Sequence, residues 1–331
     1  MARPACFVYK ENVDFVFPEA LAALPRALCE FAVPDETPGA KGGIAPHPDL
    51  FTHTTDPAKA DLFLFPFRIG AYNDAGMLDV AAQLIAALPF LPGNEKRHFV
   101  FDDGDRSDCL PLPVCLFKYS LLKKDAQRAV VNALPLPRHV ADDKPDFAFD
   151  RVRYDLSFVG NLTNEARRAA IVSIQKQAPH LRLAVDFDNA FSVESGHIRL
   201  RERSAAEQTE REDLYRKSIK DSWAVLCPPG VGLQSYRMYE SMYLGRIPVL
   251  FGEQALYPFE DRVNYEEFSI RIAGSNILDS GRILAEWFAA HTPARRADMC
   301  RLACRAWHRY FHPTAKLPLL LEAARALFGF A

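Results

Sequence analysis

The chain of 331 residues has no run of about twenty apolar residues, so it offers no transmembrane helix. Its opening, MARPACFVYK, enters a strand-like run without the apolar core or cleavage site of a signal peptide, and a cytoplasmic location is expected. Without secretion, the sequon Asn161-Leu162-Thr163 is accidental. There is no excess of one charge. Forty basic side chains face forty-two acidic ones, a formal net charge of -2, which argues against a dedicated nucleic-acid binder. The seven cysteines contain no CxxC pair, and Cys300 and Cys304 share a helical face with no matching histidine pair. They read as reduced core thiols rather than a zinc set, and neither a metal nor a cofactor is expected. No GxGxxG follows the first strand, which leaves a dinucleotide oxidoreductase without its fingerprint. Repeats and low-complexity tracts are also missing.

What remains is a globular composition, 49% hydrophobic and 25% charged, long enough for two domains. Short apolar runs alternate with helical periodicity, the pattern of an α/β fold. Ala5 to Val8 reads as a first strand, Asp61 to Pro66 as a second ended by its proline, and His98 to Phe101 as a further one. Leu78 to Leu88 has helical spacing. Residues 132–150 are polar and hold Pro135, Pro137 and Pro145, which suits a linker and sets a boundary near 150. Beyond it come a strand at Tyr154–Val159 and a helix from Asn164 to Ala178, capped by Thr163 or Asn164. Leu181 to Val185 and Ala224 to Cys227 are strands. Arg199 to Arg203, with Glu207, Glu210, Arg211, Glu212 and Asp213, mixes both signs and reads as a solvated helix face.

The stretch from Ser222 to Phe251 carries the chemistry. A buried strand ends in Pro228-Pro229-Gly230-Val231-Gly232, where two glycines let backbone N–H groups approach a ligand. A helix then begins near Ser235 and stops at Gly245, before the strand Ile247–Phe251. Its N-terminus presents free N–H groups and a partial positive charge, which suit a diphosphate. Ser235 adds a hydroxyl and Arg237 a forked cation, while Glu240 is an acid suited to accept both hydroxyls of a ribose. Each feature alone has a plain reading as turn, cap or surface residue. The order strand–loop–helix–glycine–strand favours a nucleotide site.

These residues resemble the exostosin family, glycosyltransferase family 47. The likeness rests on Leu226-Cys227-Pro228, Gly230, Gly232, Ser235-Tyr236-Arg237, Tyr239-Glu240 and Gly245-Arg246-Ile247-Pro248-Val249. It continues through Tyr257-Pro258-Phe259 and Phe268 to Ile272, and upstream through Leu156 to Asn161 with Arg167-Arg168 and Tyr215. It is specific from about 154 to 275 and thin before that. The resemblance implies a GT-B fold, two Rossmann-like domains facing a central cleft. Residues 1–150 would form the acceptor-side domain and 151–315 the nucleotide-sugar domain, with a final helix over 316–331 crossing back to the first. It also implies inversion at the anomeric carbon, no metal, and UDP as the favoured nucleotide, with GDP left open. The chain departs from the family at Pro229, where an arginine is common, and at Arg246, where a small or sulfur residue is common. Many relatives are membrane-anchored Golgi proteins, and no such anchor is visible here.

Inverting transfer requires a base for the acceptor hydroxyl and stabilisation of the departing diphosphate. The second task falls to the helix N-terminus at Ser235, with Arg237 and one of Arg167 or Arg168 as the facing cation, while Gly230, Gly232, Tyr236 and Glu240 complete the donor-binding set. The base belongs on a loop after a strand of the N-terminal domain. Asp102, Asp103 and Asp105 qualify by position, and Asp74 is a further candidate. His47, His53 and His98 are weaker ones, because a lone histidine says little. The expected partners are a nucleotide-sugar and a glycan acceptor; an oligomer is compatible with the sequence. The alternative function is a non-catalytic nucleotide-sugar or glycan-binding subunit that keeps the same fold.

Overall fold

The computed structural model describes residues 3–10, 14–17, 19, 26–35, 44–162, 164–187, 191–194, 197–200 and 203–330. Thr163 of the sequon and cap, and residues 201 and 202 of the charged run, lie outside the described residues. The chain forms two compact units. The first comprises Met1–Ala133, Gln254–Pro258 and Pro313–Ala331; the second comprises Leu134–Glu253 and Phe259–His312.

The first unit is built from β1 (Ala5–Val8), the antiparallel pair β2 (Ala32–Pro34) and β3 (Ile44–Pro46), β4 (Thr52–His53), β5 (Leu62–Arg68), β6 (His98–Asp102), β7 (Cys115–Lys118) and β8 (Ala129–Val131). Its main sheet is parallel, in the order β4-β1-β5-β6-β7-β8. The chain builds outward one way from β1 and then the other, the doubly wound plan of a Rossmann-like domain. Such strands are covered on both faces and therefore read as unbroken apolar runs. β5 is Leu-Phe-Leu-Phe-Pro-Phe-Arg, and its first six residues are buried. Pro66 does not end it. The strand continues to Arg68, and its register against β6 shifts between Leu64 and Arg68, around the residue that lacks an N–H. Aromatic rings fill the core: Phe101 stacks on Phe117 at 4.5 Å, and Phe31 meets both edge-on at 5.2 Å.

His98 belongs to this core rather than to any open site. Its ring stacks on Phe63 at 4.7 Å and its two nitrogens meet Tyr9 Oη at 2.7 Å and the Asn94 carbonyl at 2.8 Å. Burial pushes its pKa down to about 4, so it is neutral at physiological pH. The last helix spans Pro313–Phe328 and lies in the first unit. It is fastened there by Lys316, whose ammonium lies 3.4 Å from Glu30 Oε1 and donates to the Ala133 carbonyl at 3.0 Å. Glu30 also accepts from Tyr119 and, at 3.0 Å, from Asn132.

The second unit holds β9 (Tyr154–Gly160), β10 (Leu183–Phe187), the antiparallel pair β11 (Phe191–Glu194) and β12 (His197–Leu200), β13 (Ser222–Cys227), β14 (Ile247–Phe251) and β15 (Ile270–Ile272). Its sheet is parallel in the order β10-β9-β13-β14-β15, again doubly wound. Helices Glu165–Gln177, Ala205–Lys220, Tyr236–Tyr243, Ser280–Ala290 and Pro293–Ala306 accompany it. Asn164 caps the first, accepting from Ala166 N at 2.8 Å. Ser204 and Glu207 close a capping box on the second, whose outer residues Glu207, Glu210 and Asp213 are exposed. The charged run is not one solvated helix face, however: Arg199 lies in β12, the helix begins only at Ala205, and Arg211 and Glu212 are partly buried.

Residues 134–150, read from the sequence as part of a linker with a boundary near 150, are counted in this second unit. Arg246 is the reason. Its buried guanidinium donates to the Asp146 carbonyl at 2.5 Å, the Gly245 carbonyl at 2.8 Å and the Lys220 carbonyl at 3.1 Å. Tyr243 donates to the Asp143 carbonyl at 2.5 Å, and Arg216 to the His139 carbonyl at 2.8 Å. The departure at Arg246 thus secures this segment.

Candidate functional site

In a doubly wound sheet, two neighbouring strands send their following loops to opposite faces and leave a crevice at their carboxyl ends. In the second unit those strands are β9 and β13. The loops concerned begin at Gly160-Asn161 and at Pro228–Gly232, the two places where glycine and proline cluster in the sequence.

Arg167 ties these loops together. Its Nε donates to the Pro229 carbonyl and its Nη1 to the Asn161 carbonyl, both at 3.0 Å. Asn164 adds a bond to the Gly230 carbonyl at 2.8 Å. Gly230 N in turn donates to the Gly232 carbonyl at 3.1 Å, closing a tight turn that leaves Val231 exposed at its tip. Arg168 goes elsewhere: it is exposed and lies 3.8 Å from Glu165 on the same helix. Of the two adjacent arginines, the structure brings only Arg167 to the loops.

Ser235 occupies the N-cap position of helix Tyr236–Tyr243 but makes no capping bond. Its hydroxyl is buried without a hydrogen-bond partner. A buried hydroxyl left unpaired is costly, so a group able to bond it would bind with that cost removed. Arg237 turns back over β9, donating to the Val159 carbonyl at 2.8 Å with its cation 4.7 Å from the Phe158 ring centre. The guanidinium lies where a side chain at position 160 would be. A Cβ on Gly160 would come within 1.9 Å of Arg237 Nη2.

Tyr236, Arg237 and Glu240 line one cavity of about 320 Å³ with Gly160 and Tyr215. His139, Arg203 and Arg211 add cationic or ionisable groups to its wall. Glu240 is only 2% exposed and accepts a hydrogen bond from Tyr215. Burial pushes its pKa up to about 7, opposed by the Tyr215 hydroxyl and the Arg237 cation. Arg211 also holds Asp186 at 2.6 Å, which anchors the helix Ala205–Lys220 to β10. His139 went unmarked in a proline-rich stretch, and Arg203 and Arg211 were read as solvated surface because a mixed charge run looks like one.

The candidate bases lie in the first unit, at the carboxyl end of β6 and in the helix after β5. Asp102 is fully buried, 2.8 Å from Lys118 Nζ, and accepts from Asn73 Nδ2 at 2.7 Å and Gly104 N at 2.9 Å. Burial raises its pKa, with Lys118 opposing. Its carboxylate is closed off from solvent and holds Asn73, Gly104 and Lys118 around the loop. Asp103 is partly exposed, lying 3.3 Å from Arg68 and accepting from Gly70 N at 3.2 Å. Asp74 accepts from Asp105 N at 2.8 Å and Arg106 N at 3.1 Å, so it shapes the same loop. Asp105 is exposed on that loop. The structure therefore gathers all four acids at one turn. Among the described residues, no cluster of three or more histidine, cysteine or acidic side chains is arranged to hold a metal ion.

Two Rossmann-like domains, the second with an arginine-bridged crevice at its strand ends, define the GT-B fold class. The chain belongs to the exostosin GT47 family, whose domain model matches residues 122–287. A probable glycosyltransferase of Arabidopsis thaliana is 35% identical over 72 residues, which are 22% of this chain and 15% of that protein. A probable glucuronoxylan glucuronosyltransferase of the same plant is 29% identical over 85 residues, 26% of this chain and 18% of that protein. The matched segments thus span less than a fifth of these relatives' lengths. Among solved structures, a sucrose-phosphate synthase from Thermosynechococcus elongatus is similar with TM-score 0.46 and 10% identity, covering 82% of this chain and 74% of that one. A glycosyltransferase from Rickettsia africae is similar with TM-score 0.45 and 8% identity, covering 84% and 85%.

Proposed function

We propose that this protein is an inverting glycosyltransferase that moves a sugar from a UDP-linked donor to a hydroxyl of a glycan without a metal ion. The observation that carries the reading is the convergence of Tyr236, Arg237 and Glu240 on one cavity, one residue beyond the unpartnered Ser235 hydroxyl. Family membership supports it.

In this reading Glu240 receives the ribose hydroxyls, and Ser235 with the first N–H groups of its helix receives the diphosphate. Arg237 and Arg167 supply the positive charge that a metal would otherwise bring as the diphosphate departs. Arg167 compensates for Pro229, because its guanidinium already lies against that residue's carbonyl. The acceptor's proton goes to Asp103 or Asp105, with Asp74 as the third choice, and the freed oxygen attacks the anomeric carbon from the face opposite the leaving diphosphate.

The test is a thermal-shift panel of nucleoside diphosphates in EDTA, since a ligand that binds only the folded state raises apparent stability. UDP should shift the melting point most, with chelator present. A panel in which none shifts it, or in which manganese is required, overturns the reading. UDP binding without transfer to any glycan would favour a non-catalytic subunit.

A further inference from the structure

The second unit carries another cavity, of about 770 Å³, whose lining differs in kind from that of the nucleotide site. Its wall is a stripe of cations. Arg301, Arg305 and Arg309 recur every four residues along helix Pro293–Ala306 and its wider continuation Trp307–Phe311, with His308 beside them. Its other side is apolar: Pro145 and Phe147, the latter 42% exposed.

The charge of this element stands apart from the rest of the chain. The whole protein is nearly neutral at -2, yet residues 293–312 hold five arginines and a single acid, Asp298. Asp298 is engaged by Arg301 at 2.9 Å. Among the described residues, Arg305 and Arg309 meet no carboxylate, and both are exposed. Phe147 is held in place from behind. It packs beside Phe149 with ring centres 6.0 Å apart, and Gly245, at φ +70, leaves it room where a Cβ would come within 2.6 Å of its ring. A row of guanidinium groups beside a fixed, half-exposed aromatic ring is the arrangement that suits an interface between water and lipid. The guanidinium forks pair with phosphate and the ring enters the acyl boundary.

We infer that this face docks on a bilayer of anionic phospholipid, the cavity receiving one lipid headgroup. Charge complementarity selects an anion. The apolar floor selects a lipid over an acidic glycan, whose hydroxyls would find few polar partners on proline and phenylalanine. Docking here would also touch the proposed donor site through one helix. Tyr236–Tyr243 begins at the nucleotide cavity and ends with the Tyr243 ring 4.6 Å from Trp307. The docking itself does not depend on the donor reading.

The experiment is co-sedimentation of the whole chain with vesicles of phosphatidylcholine alone and of phosphatidylcholine with phosphatidylglycerol in equal parts. Binding only to the anionic vesicles is expected, weakening as salt rises. The double variant R305E/R309E should bind at least about tenfold more weakly, since each basic group near such a surface contributes about a fivefold factor. An unchanged melting temperature of that variant without ligand shows that the fold is kept, and the UDP shift, read separately, keeps this inference apart from the donor reading. R305A/R309A, which cannot introduce repulsion, should show a smaller loss of the same sign. No sedimentation of the parent chain with anionic vesicles overturns the inference, as does equal binding by the double variants. Retention of the chain on a sulfated glycan resin, lost in R305E/R309E while vesicles are ignored, overturns it in favour of an acidic glycan.

Discussion

Tyr215 donates its phenolic hydrogen bond to the carboxylate of Glu240, within the cavity assigned to the nucleotide. The pair sets a pH dependence. Glu240 has a folded-state pKa raised to about 7, so its protonated form is favoured by folding. That contribution is complete below the ordinary carboxylate range and is lost as pH rises from there through about 7, a total loss of about 3 kcal/mol. Chemical denaturation at pH 5 and pH 8 should therefore show Glu240→Gln gaining stability relative to the parent at the higher pH. Donor affinity should move oppositely, because a ribose hydroxyl bonds best to the ionised acid. The parent's advantage over Glu240→Gln in UDP affinity should grow from pH 6 to pH 8. A constant ratio would remove Glu240 from the ribose site.

Tyr215→Phe takes away a donor that favours the charged form of Glu240. The expected outcome is weaker UDP binding by roughly 0.5–1.5 kcal/mol and a shift of its pH midpoint to higher values. Calorimetric titration across pH reads both, and a purely structural tyrosine would leave the midpoint where it was.

At Gly160 the prediction is steric. Any side chain there meets the Arg237 guanidinium, so Gly160→Ala should displace that cation from the Val159 carbonyl. UDP affinity should fall by about tenfold or more, while uridine, which has no diphosphate, should lose much less. Equal losses for both ligands would indicate general disruption of β9.

Lys316, buried on the last helix, pairs with the Glu30 carboxylate, 12% exposed, from the segment before β2. Lys316→Met strands the Glu30 charge and should destabilise the fold by about 3–5 kcal/mol in urea unfolding. Adding Glu30→Gln should recover part of that loss, since the uncompensated charge is then gone.

Asp102 and Asp103 are adjacent and should fail in different assays. Asp102→Asn leaves Lys118 buried opposite a neutral amide, so its defect should be stability, again on the order of 3–5 kcal/mol. Asp103→Asn keeps the fold and, if it is the base, should lower turnover by about 10²–10⁴-fold with UDP affinity retained. Retained turnover in Asp103→Asn, Asp105→Asn and Asp74→Asn together would place the base elsewhere.

Local sequence marks were sufficient for most strands of both sheets. A parallel strand buried on both faces needs a continuous apolar run, and β1, β6, β9, β13 and β14 each announce one. Glycine at 245, at φ +70, stopped its helix as expected. The shortfalls have physical causes. Pro66 was taken as a strand end because a proline removes a ladder bond, yet a register shift accommodates it. The prolines of 132–150 look like a linker, whereas backbone carbonyls of this segment are held by Arg246, Tyr243 and Arg216 from far along the chain. The candidate site was legible where ligand-facing residues lie on one loop and one helix. It was hidden where distant segments add a side chain each, as His139, Arg203 and Arg211 do. The choice between Arg167 and Arg168 needed coordinates, because neighbours on a helix point about a hundred degrees apart.

The cysteines have a practical consequence for spectroscopy. Six of the seven are buried, and only Cys109 is partly exposed. Burial pushes the thiols of Cys29, Cys227 and Cys300 up to about 12, far from the thiolate that reacts with a maleimide. Burial also raises the Cys109 thiol, so its advantage is exposure alone, and labelling there calls for a pH above neutral. A fluorophore at Cys109, on the loop between the candidate acids and β7, would report on that loop without a cysteine-free background having to be engineered first.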